Sequence, residues 1–320
     1  MIDVALGIDT SCYTTSVATV DADGVVHGFE RQLLPVPKGQ RGLRQSEAVF
    51  VHVRQLPALM ERLSLADMRI RAVSVSEKPR DEADSSMPVF ETGAGTARSI
   101  AAALRVPCYG VSHQQGHIAA GMLGNPPMDK RFVALHLSGG TTELLLSDEG
   151  KLTLLGGSLD LHAGQLVDRV GVAMGLPFPA GAELEKLAMA CTETVSSMLP
   201  VSMERGDLQC HLSGAETQCQ RLIGSVGNEL LAAEVFDLLA RTVARLLAAG
   251  CRETGTHEAL VVGGVASSTL LRELVCKRLH KLGANVDARF GQPRYSADNA
   301  AGVAWLGMQR YLKERSHTCA

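Results

Sequence analysis

A shift of 127 positions lays Ser11-Cys12-Tyr13-Thr14-Thr15-Ser16-Val17 on Ser138-Gly139-Gly140-Thr141-Thr142-Glu143-Leu144, and carries Asp21 onto Asp148. Around both copies the order of elements is the same: an apolar strand, a turn of small and hydroxyl-bearing residues, a second strand, an acidic-Gly turn and a third strand. One such device per half of the chain is what a duplicated nucleotide-binding fold shows. The 320 residues suit that reading, since domains run to about 100–200 residues.

Hydrophobic periodicity fills in an α/β alternation. Strands are expected at 4–8, 16–20, 25–31, 72–76 and 106–111, with helices at 48–63 and 96–104. The turn-rich Gly124-Asn125-Pro126-Pro127 reads as a linker. Beyond it, strands are expected at 132–137, 142–146, 152–155 and 260–262. Helices are expected at 162–174, 182–195, 230–249, 266–282 and 299–313. The expected lobes are residues 1–125 and 126–298 with a cleft between them, the helix at about 299–320 packing back on the first lobe.

Composition removes several function classes. Apolar residues make up 46% and charged residues 20%, enough apolar content for a large core. No apolar run approaches the roughly 18 residues that span a membrane, and the start lacks a secretory leader's pattern. Eight cysteines without a C-x-x-C pair read as free, mostly buried thiols in a reducing cytoplasm. Aromatic content of 4% leaves little for a stacking platform on single-stranded nucleic acid. With 31 Lys+Arg against 34 Asp+Glu, the net charge of −3 excludes a chain that is basic throughout. Nucleic acid, if bound, needs its phosphate contacts from a local basic strip or from a partner protein, and two strips are present: Arg31, Lys38, Arg41, Arg44 and Arg54 early, and Arg272, Lys277, Arg278 and Lys281 on one late helix. The ordinary duty of each is a solvated face.

Five segments could carry chemistry. His113-Gln114-Gln115-Gly116-His117 puts two imidazoles four residues apart, on one helix face, where both can reach one metal ion. Two polar residues at a helix start give the same pattern. No Glu follows the first His, so the base of an H-E-x-x-H protease is missing. The run from His136 through Leu137, Ser138, Gly139 and Gly140 leads from a strand into a turn whose backbone can approach a phosphate, or into an ordinary hairpin. Its repeat partner, Gly7-Ile8-Asp9-Thr10-Ser11, offers an acid where phosphate-bound metal could sit. Gly263 and Gly264 end a buried strand before a helix N-terminus that includes Ser268, a geometry suited to adenine, ribose or phosphate. Asp298 can be a helix cap or a metal carboxylate. Asp168, ahead of a Pro/Gly loop ending at Gly181, can bind ribose hydroxyls or face solvent.

Taken together and in order, GIDTSC, GVSHQQGH, HLSGGTTEL, DRVGVAMGLPFPAG, LSGAET, GGVASSTLLR and ADNAAGVA resemble the tRNA N6-adenosine threonylcarbamoyltransferase family, also known as TsaD, Gcp or glycoprotease. The resemblance covers nearly the whole chain. It implies the α/β fold of duplicated ribonuclease-H-like lobes found in the actin/Hsp70/sugar-kinase superfamily. It implies one divalent metal, Fe or Zn, on His113, His117 and Asp298, with Mg accompanying a nucleotide as a further option. It also implies an adenylate site on His136, Leu137, Ser138, Gly139, Gly140, Asp168, Gly181, Gly263, Gly264 and Ser268, with Asp9 and Ser11 catalytic. The implied reaction moves a threonylcarbamoyl group from threonylcarbamoyl-adenylate to N6 of the tRNA adenosine beside the anticodon. The implied partners are tRNA, a smaller paralogous protein and an ATPase, in the cytoplasm.

The sequence departs from the family pattern at several points. Thr14 and Thr15 stand where acidic residues follow the first loop, and Gln115 stands for Glu. Thr141 stands for His, Glu216 for Lys and Ser268 for Asn, and residues 78–87 lack a Gly-Pro-Gly-Leu stretch. These departures point to a divergent paralogue, so a catalytically weak nucleotide-binding scaffold is one alternative. A small-molecule kinase of the same superfamily is another, and a metalloprotease is the weakest.

Overall fold

The computed structural model describes residues 1–11, 14–35, 43–81, 85–203, 206–296 and 299–318. Asp298, the third expected metal ligand, lies outside the described residues, as do Cys12, Lys38, Arg41 and Cys319. The chain divides into two compact units, Met1–Pro126 with Arg294–Ala320, and Pro127–Pro293.

In the first unit β1 (Ile2–Asp9) pairs antiparallel with β2 (Thr14–Asp21), and β2 with β3 (Val26–Leu33). β4 (Met68–Lys78) and β5 (Cys108–Ser112) add in parallel beyond β1, giving the order β3-β2-β1-β4-β5. Strand alternation sends Leu6 and Ile8 to one face, where they meet Leu56 and Leu59 of α1 (Gln45–Arg62) and Ala97 and Ala101 of α2 (Pro88–Leu104). Ala5 and Gly7 turn to the other face, covered by α3 (His113–Met122) and α10 (Ala300–Thr318). A Cβ on Gly7 would collide with the Ala300 carbonyl, so this position must lack one for the helix to lie so close.

The second unit repeats the plan. β6 (Arg131–Leu137), β7 (Thr142–Asp148) and β8 (Lys151–Ser158) run antiparallel, while β10 (Glu258–Val262) and β11 (Asp287–Phe290) add in parallel beyond β6. A two-residue strand, β9 (Gln209–Cys210), extends the far edge, giving β11-β10-β6-β7-β8-β9. The helices are α4 (Ala163–Ala173), α5 (Gly181–Ala190), α6 (Ser213–Leu222), α7 (Asn228–Thr254) and α8 (Thr269–Lys281); the single turn α9 (Pro293–Ser296) begins at the unit's last residue and belongs mostly to the first unit. The long helix α7 is the spine of this core, burying residues such as Leu231, Phe236, Leu239 and Leu247. The duplication holds down to register. Val4 faces Asp21 and Asp9 faces Ser16, while Arg131 faces Asp148 and His136 faces Glu143, each pair displaced by the same 127 positions.

Some elements differ from the expectation. α2 begins at Pro88 rather than 96, because Pro at the first helical turn gives up an amide that has no intrahelical partner anyway. The helix expected to reach 195 stops at Ala190, where Glu234 of α7 takes the backbone amides of Ser196 and Met198 at 2.6 and 2.9 Å. The helix expected over 266–282 is a 3-10 turn, Val265–Ser267, followed by α8. Cys210, Cys219 and Cys251 are buried free thiols, but Cys108 and Cys276 are exposed. The late basic strip is a solvated face only in part: Lys277 and Lys281 are exposed, whereas Arg278 bonds Asp237, and Arg272 bonds the Ala266 carbonyl and lies over the Phe290 ring. Among the described residues no helix is long and apolar enough to cross a membrane.

Candidate functional site

Two constellations gather the residues singled out above, one in each unit. In the first unit β5 runs directly into α3, whose N-terminus is closed by a capping box between Ser112 and Gln115. This start fixes the rotation of the helix, and with it His113 and His117, both half-buried. Their Nε2 atoms converge to 3.0 Å, with ring centroids 4.4 Å apart. Behind His113, at the end of β1, lies Asp9, buried with only 2% of its surface exposed. Its Oδ1 is 3.5 Å from His113 Nδ1, its Oδ2 accepts from Ser11 Oγ at 2.6 Å, and Ser76 of β4 donates to Oδ1. Burial pushes the Asp9 carboxyl up, but the adjacent His113 and the hydrogen bonds from His113, Ser11 and Ser76 hold it below its usual range. Asn299 adds a contact from its Nδ2 to His113 Nδ1 at 2.8 Å.

This geometry makes Asp9 a residue that orients His113 rather than one that faces the open side of the pair. A carboxylate beside Nδ1 favours hydrogen there and so frees the Nε2 lone pair, whereas the nearer Asn299 Nδ2 donates to that nitrogen and favours hydrogen on Nε2, so these two neighbours pull the ring opposite ways. Among the described residues no set of three His, Cys, Asp or Glu side chains converges on one point. Two convergent imidazoles fit part of a divalent-cation site, and the third expected ligand, Asp298, lies outside the described residues.

The second constellation is a pocket of about 330 Å³, lined among others by Gly139, Asp168, Gly181, Gly264 and Ser268. Five separate segments meet there: the turn after β6, helix α4, the start of α5, Phe236 of α7, and the passage from β10 into α8. The turn is drawn tight by Ser138, whose N–H donates to the Thr141 carbonyl at 2.8 Å and whose Oγ accepts from Gly140 N at 3.3 Å. Gly164 packs under it, so that a Cβ there would come within 2.7 Å of Gly139 N and Cα. Asp168 accepts from Ala180 N at 2.8 Å and so ties α4 to the start of α5. Gly263 has φ +100°, a conformation few side-chain-bearing residues adopt, and a Cβ would strike the Leu137 carbonyl. That contact explains how the neighbouring residues of the expected site lie. Leu137 is a core residue, 1% exposed, that presents only its backbone, and His136 is buried against Gly263. Gly140 has open space where a Cβ would point.

Ser268 caps α8, accepting from Leu271 N at 3.1 Å. Glu185 of α5 also lines the pocket and accepts from Leu270 N at 2.9 Å. Two first-turn amides of α8 are thus engaged within the chain. The N-terminus of α5, at Gly181, leaves its positive end beside the pocket. Sequence reasoning did not select Glu185, Gly164 or Ser76. The first could have been found, since it lies four residues after Gly181 on the same helix face. The other two carry no motif.

Residues 52–305 match the model of the family TsaD, described as tRNA N6-adenosine threonylcarbamoyltransferase. The chain belongs to this family of tRNA-modifying transferases. A family relative from Thiobacillus denitrificans, described by the same activity, is 31% identical over 317 residues, covering 96% of this chain and 91% of the relative. Among solved structures, HypF from T. kodakarensis superposes with a TM-score of 0.61 at 15% identity, covering 98% of this chain and 48% of that one. The activator of 2-hydroxyisocaproyl-CoA dehydratase from Clostridium difficile, bound to ADPNP, gives 0.56 at 14% identity, covering 98% and 97%. A glucokinase of the ROK family from Streptomyces griseus, with glucose and AMPPNP, gives 0.54 at 12%, covering 96% and 99%. These likenesses carry the fold alone, a duplicated α/β architecture.

Proposed function

We propose that this family member transfers a threonylcarbamoyl group from threonylcarbamoyl-adenylate to N6 of the tRNA adenosine beside the anticodon. The observation that carries the reading is the pocket of the second unit, which gathers Gly139, Asp168, Gly181, Gly264 and Ser268 from four distant segments. Its size suits a nucleoside monophosphate part, since small-molecule sites begin at about 300 Å³. Asp168 and Glu185 offer carboxylate acceptors for ribose hydroxyls. Gly139 and Gly140 let a backbone turn meet the phosphate, with the positive end of α5 nearby. The N6 amine attacks the carbamoyl carbonyl, a C–N bond forms, the C–O bond to the phosphate breaks, and AMP leaves with the electron pair while the amine gives up a proton.

His113 and His117 would hold a divalent metal, Fe or Zn, with Asp298 as the third ligand. Bound there, the metal supplies a Lewis acid for carbonyl or phosphate oxygen. Asp9, with Ser11 and Ser76 fixing its carboxylate, keeps the His113 ring in the ligating orientation. Mg with the nucleotide, a smaller paralogous partner, an ATPase partner and a cytoplasmic setting complete the reading.

The purified protein, given threonylcarbamoyl-adenylate and unmodified tRNA transcript, is expected to release AMP in step with formation of the modified nucleoside, read by mass spectrometry of digested tRNA. No modified nucleoside with the adenylate intact sinks the transferase reading. One observation favours the second reading, a nucleotide-binding scaffold: the Ser268 hydroxyl, where the family has Asn, is engaged as a helix cap. Tight AMP binding in calorimetry without complementation of a transferase-deficient strain selects that reading.

A further inference from the structure

The second unit holds another, larger pocket, about 760 Å³, at the opposite end of β10 from the one above. Its wall comes from the last third of α7, the turn that follows it, and the turn after α8. Arg245, Arg252, His257 and Asn285 line it, and no carboxylate does among the described residues. Arg245 and Arg252 are exposed, and neither makes an ion pair or hydrogen bond among the described residues. They are seven residues apart on one helix, so their Cα atoms sit on nearly the same face and about 10 Å apart. Asn285 Nδ2 meets His257 Nδ1 at 3.2 Å, which fixes the ring at the pocket's edge. Gly206 lies so close to Arg252 that a Cβ would come 2.8 Å from its guanidinium.

A helix C-terminus welcomes a cation, which accounts for Arg252 in the last turn of α7. It does not account for Arg245, two turns earlier, because the dipole effect fades within one turn. Two guanidiniums in a concave wall whose described residues include no carboxylate focus positive potential, and the guanidinium fork matches the oxygens of phosphate. We propose that this pocket is a second anion site, which takes a phosphate-bearing ligand on Arg245 and Arg252 with His257 at its edge. The phosphate belongs either to a free polyphosphate-type metabolite or to the backbone of an RNA strand. The proposal stands apart from the transferase reading, because it can be read by binding alone, without turnover.

The test uses the full chain with two probes, inorganic pyrophosphate by calorimetry and an unmodified tRNA transcript by fluorescence anisotropy at several salt concentrations. The variants are Arg245→Ala/Arg252→Ala and a control of equal charge loss, Lys130→Ala/Lys151→Ala, two exposed residues just before β6 and at the start of β8. The arginine pair is expected to weaken pyrophosphate by about tenfold or more while the lysine pair leaves it within about twofold. If RNA is the source, the arginine pair also flattens the plot of log affinity against log salt by about 1.4–1.8, the contribution of two phosphates. A loss confined to pyrophosphate assigns the free metabolite. Wild-type binding of both probes by the arginine variant overturns the site, and so does an equal loss in the lysine control or no pyrophosphate binding by the wild type. Should the alanine pair melt early, Arg245→Lys/Arg252→Lys keeps the charge without the fork and is expected to bind pyrophosphate several-fold less tightly. Unchanged binding by a folded lysine-for-arginine pair, with the alanine pair unfolded, also overturns the proposal.

Discussion

Gly164 and Gly139 touch each other, yet they answer different demands. A Cβ on Gly164 would press into the backbone of the turn at 2.7 Å from Gly139 N and Cα and from the Ser138 carbonyl, groups that cannot swing aside. A Cβ on Gly139 meets nothing within 4 Å, because it points into open space beside the pocket. Gly164→Ala is therefore expected to lower stability by about 1–3 kcal/mol, as overpacking does, and to move the turn. Gly139→Ala should melt with the wild type and lose AMP affinity instead. Thermal melts beside AMP titrations check the pair, and the account fails if Gly139→Ala is the less stable of the two. The histidine pair gives a second residue-level outcome. His117→Ala removes one of two convergent Nε2 donors, so the purified variant is expected to carry far less metal than the wild type by mass spectrometry of dissolved metal. Equal metal content in the two would place the ion elsewhere. Much of this was legible in advance, since His113, His117, Gly139, Asp168 and Gly181 stand in runs with recognisable chemistry. Gly164 and Ser76 were not, because their importance is a distance to another segment, and no single-sequence pattern records such a distance.

At the scale of elements, the hairpins were readable because turn residues punctuate them, Asp21-Ala22-Asp23-Gly24 in one unit and Asp148-Glu149-Gly150 in the other. α6 was not, because its apolar stripe of Ala215, Cys219 and Leu222 is thin, two of the three being small, in an otherwise polar run. Its N-terminus is held by Asp160, whose carboxylate accepts from the amides of Leu161 and Leu212 at 2.5 and 2.8 Å and from Ser213. Burial raises the Asp160 carboxyl, but the Ser213 hydroxyl and these amides outweigh it and bring it down to about 2. A value below the unfolded reference of 3.8 means the charged form stabilises the fold. That contribution is complete above about pH 4 and is lost as pH falls through about 2. Asp160→Asn is therefore expected to destabilise the protein at neutral pH and to narrow the stability difference from wild type as the pH falls across that window. Denaturant titrations at pH 7 and across the acid range read this, and a difference independent of pH would show that the carboxylate's charge is not what holds α6.

The whole molecule joins its first and last residues in one unit, and α10 makes the joint. Ala300, Ala301 and Ala304 pack with Ala18, Val20, Ala120 and Leu123, and Met308 with Ala5, Ala72 and Tyr109. Farther along, Tyr109 donates to Glu314 at 2.6 Å and Arg310 donates to the Gly110 carbonyl at 2.8 Å. Small residues make the approach possible. A Cβ on Gly302 would collide with the Gly116 carbonyl, and one on Gly307 would come 2.6 Å from the Ser74 side chain. The contacts of α10 fall on α3 and on strands β1 to β5, all in the first unit. Fully burying a large apolar side chain contributes about 1.5–3 kcal/mol, and a domain is stable by only about 5–15, so losing the helix costs a large share of that unit's stability. Truncation before Ala300 is expected to raise amide hydrogen exchange throughout β1, β2, β4 and α3. The same truncation should leave α7 and β6 as protected as in the full chain, because their partners are Leu231, Phe236 and Leu247 of the other core and their neighbours. Mass spectrometry of exchanged peptides separates the two units. Uniform deprotection would mean that the halves fold as one cooperative body, whereas loss confined to the first would make α10 the closing element of that unit alone.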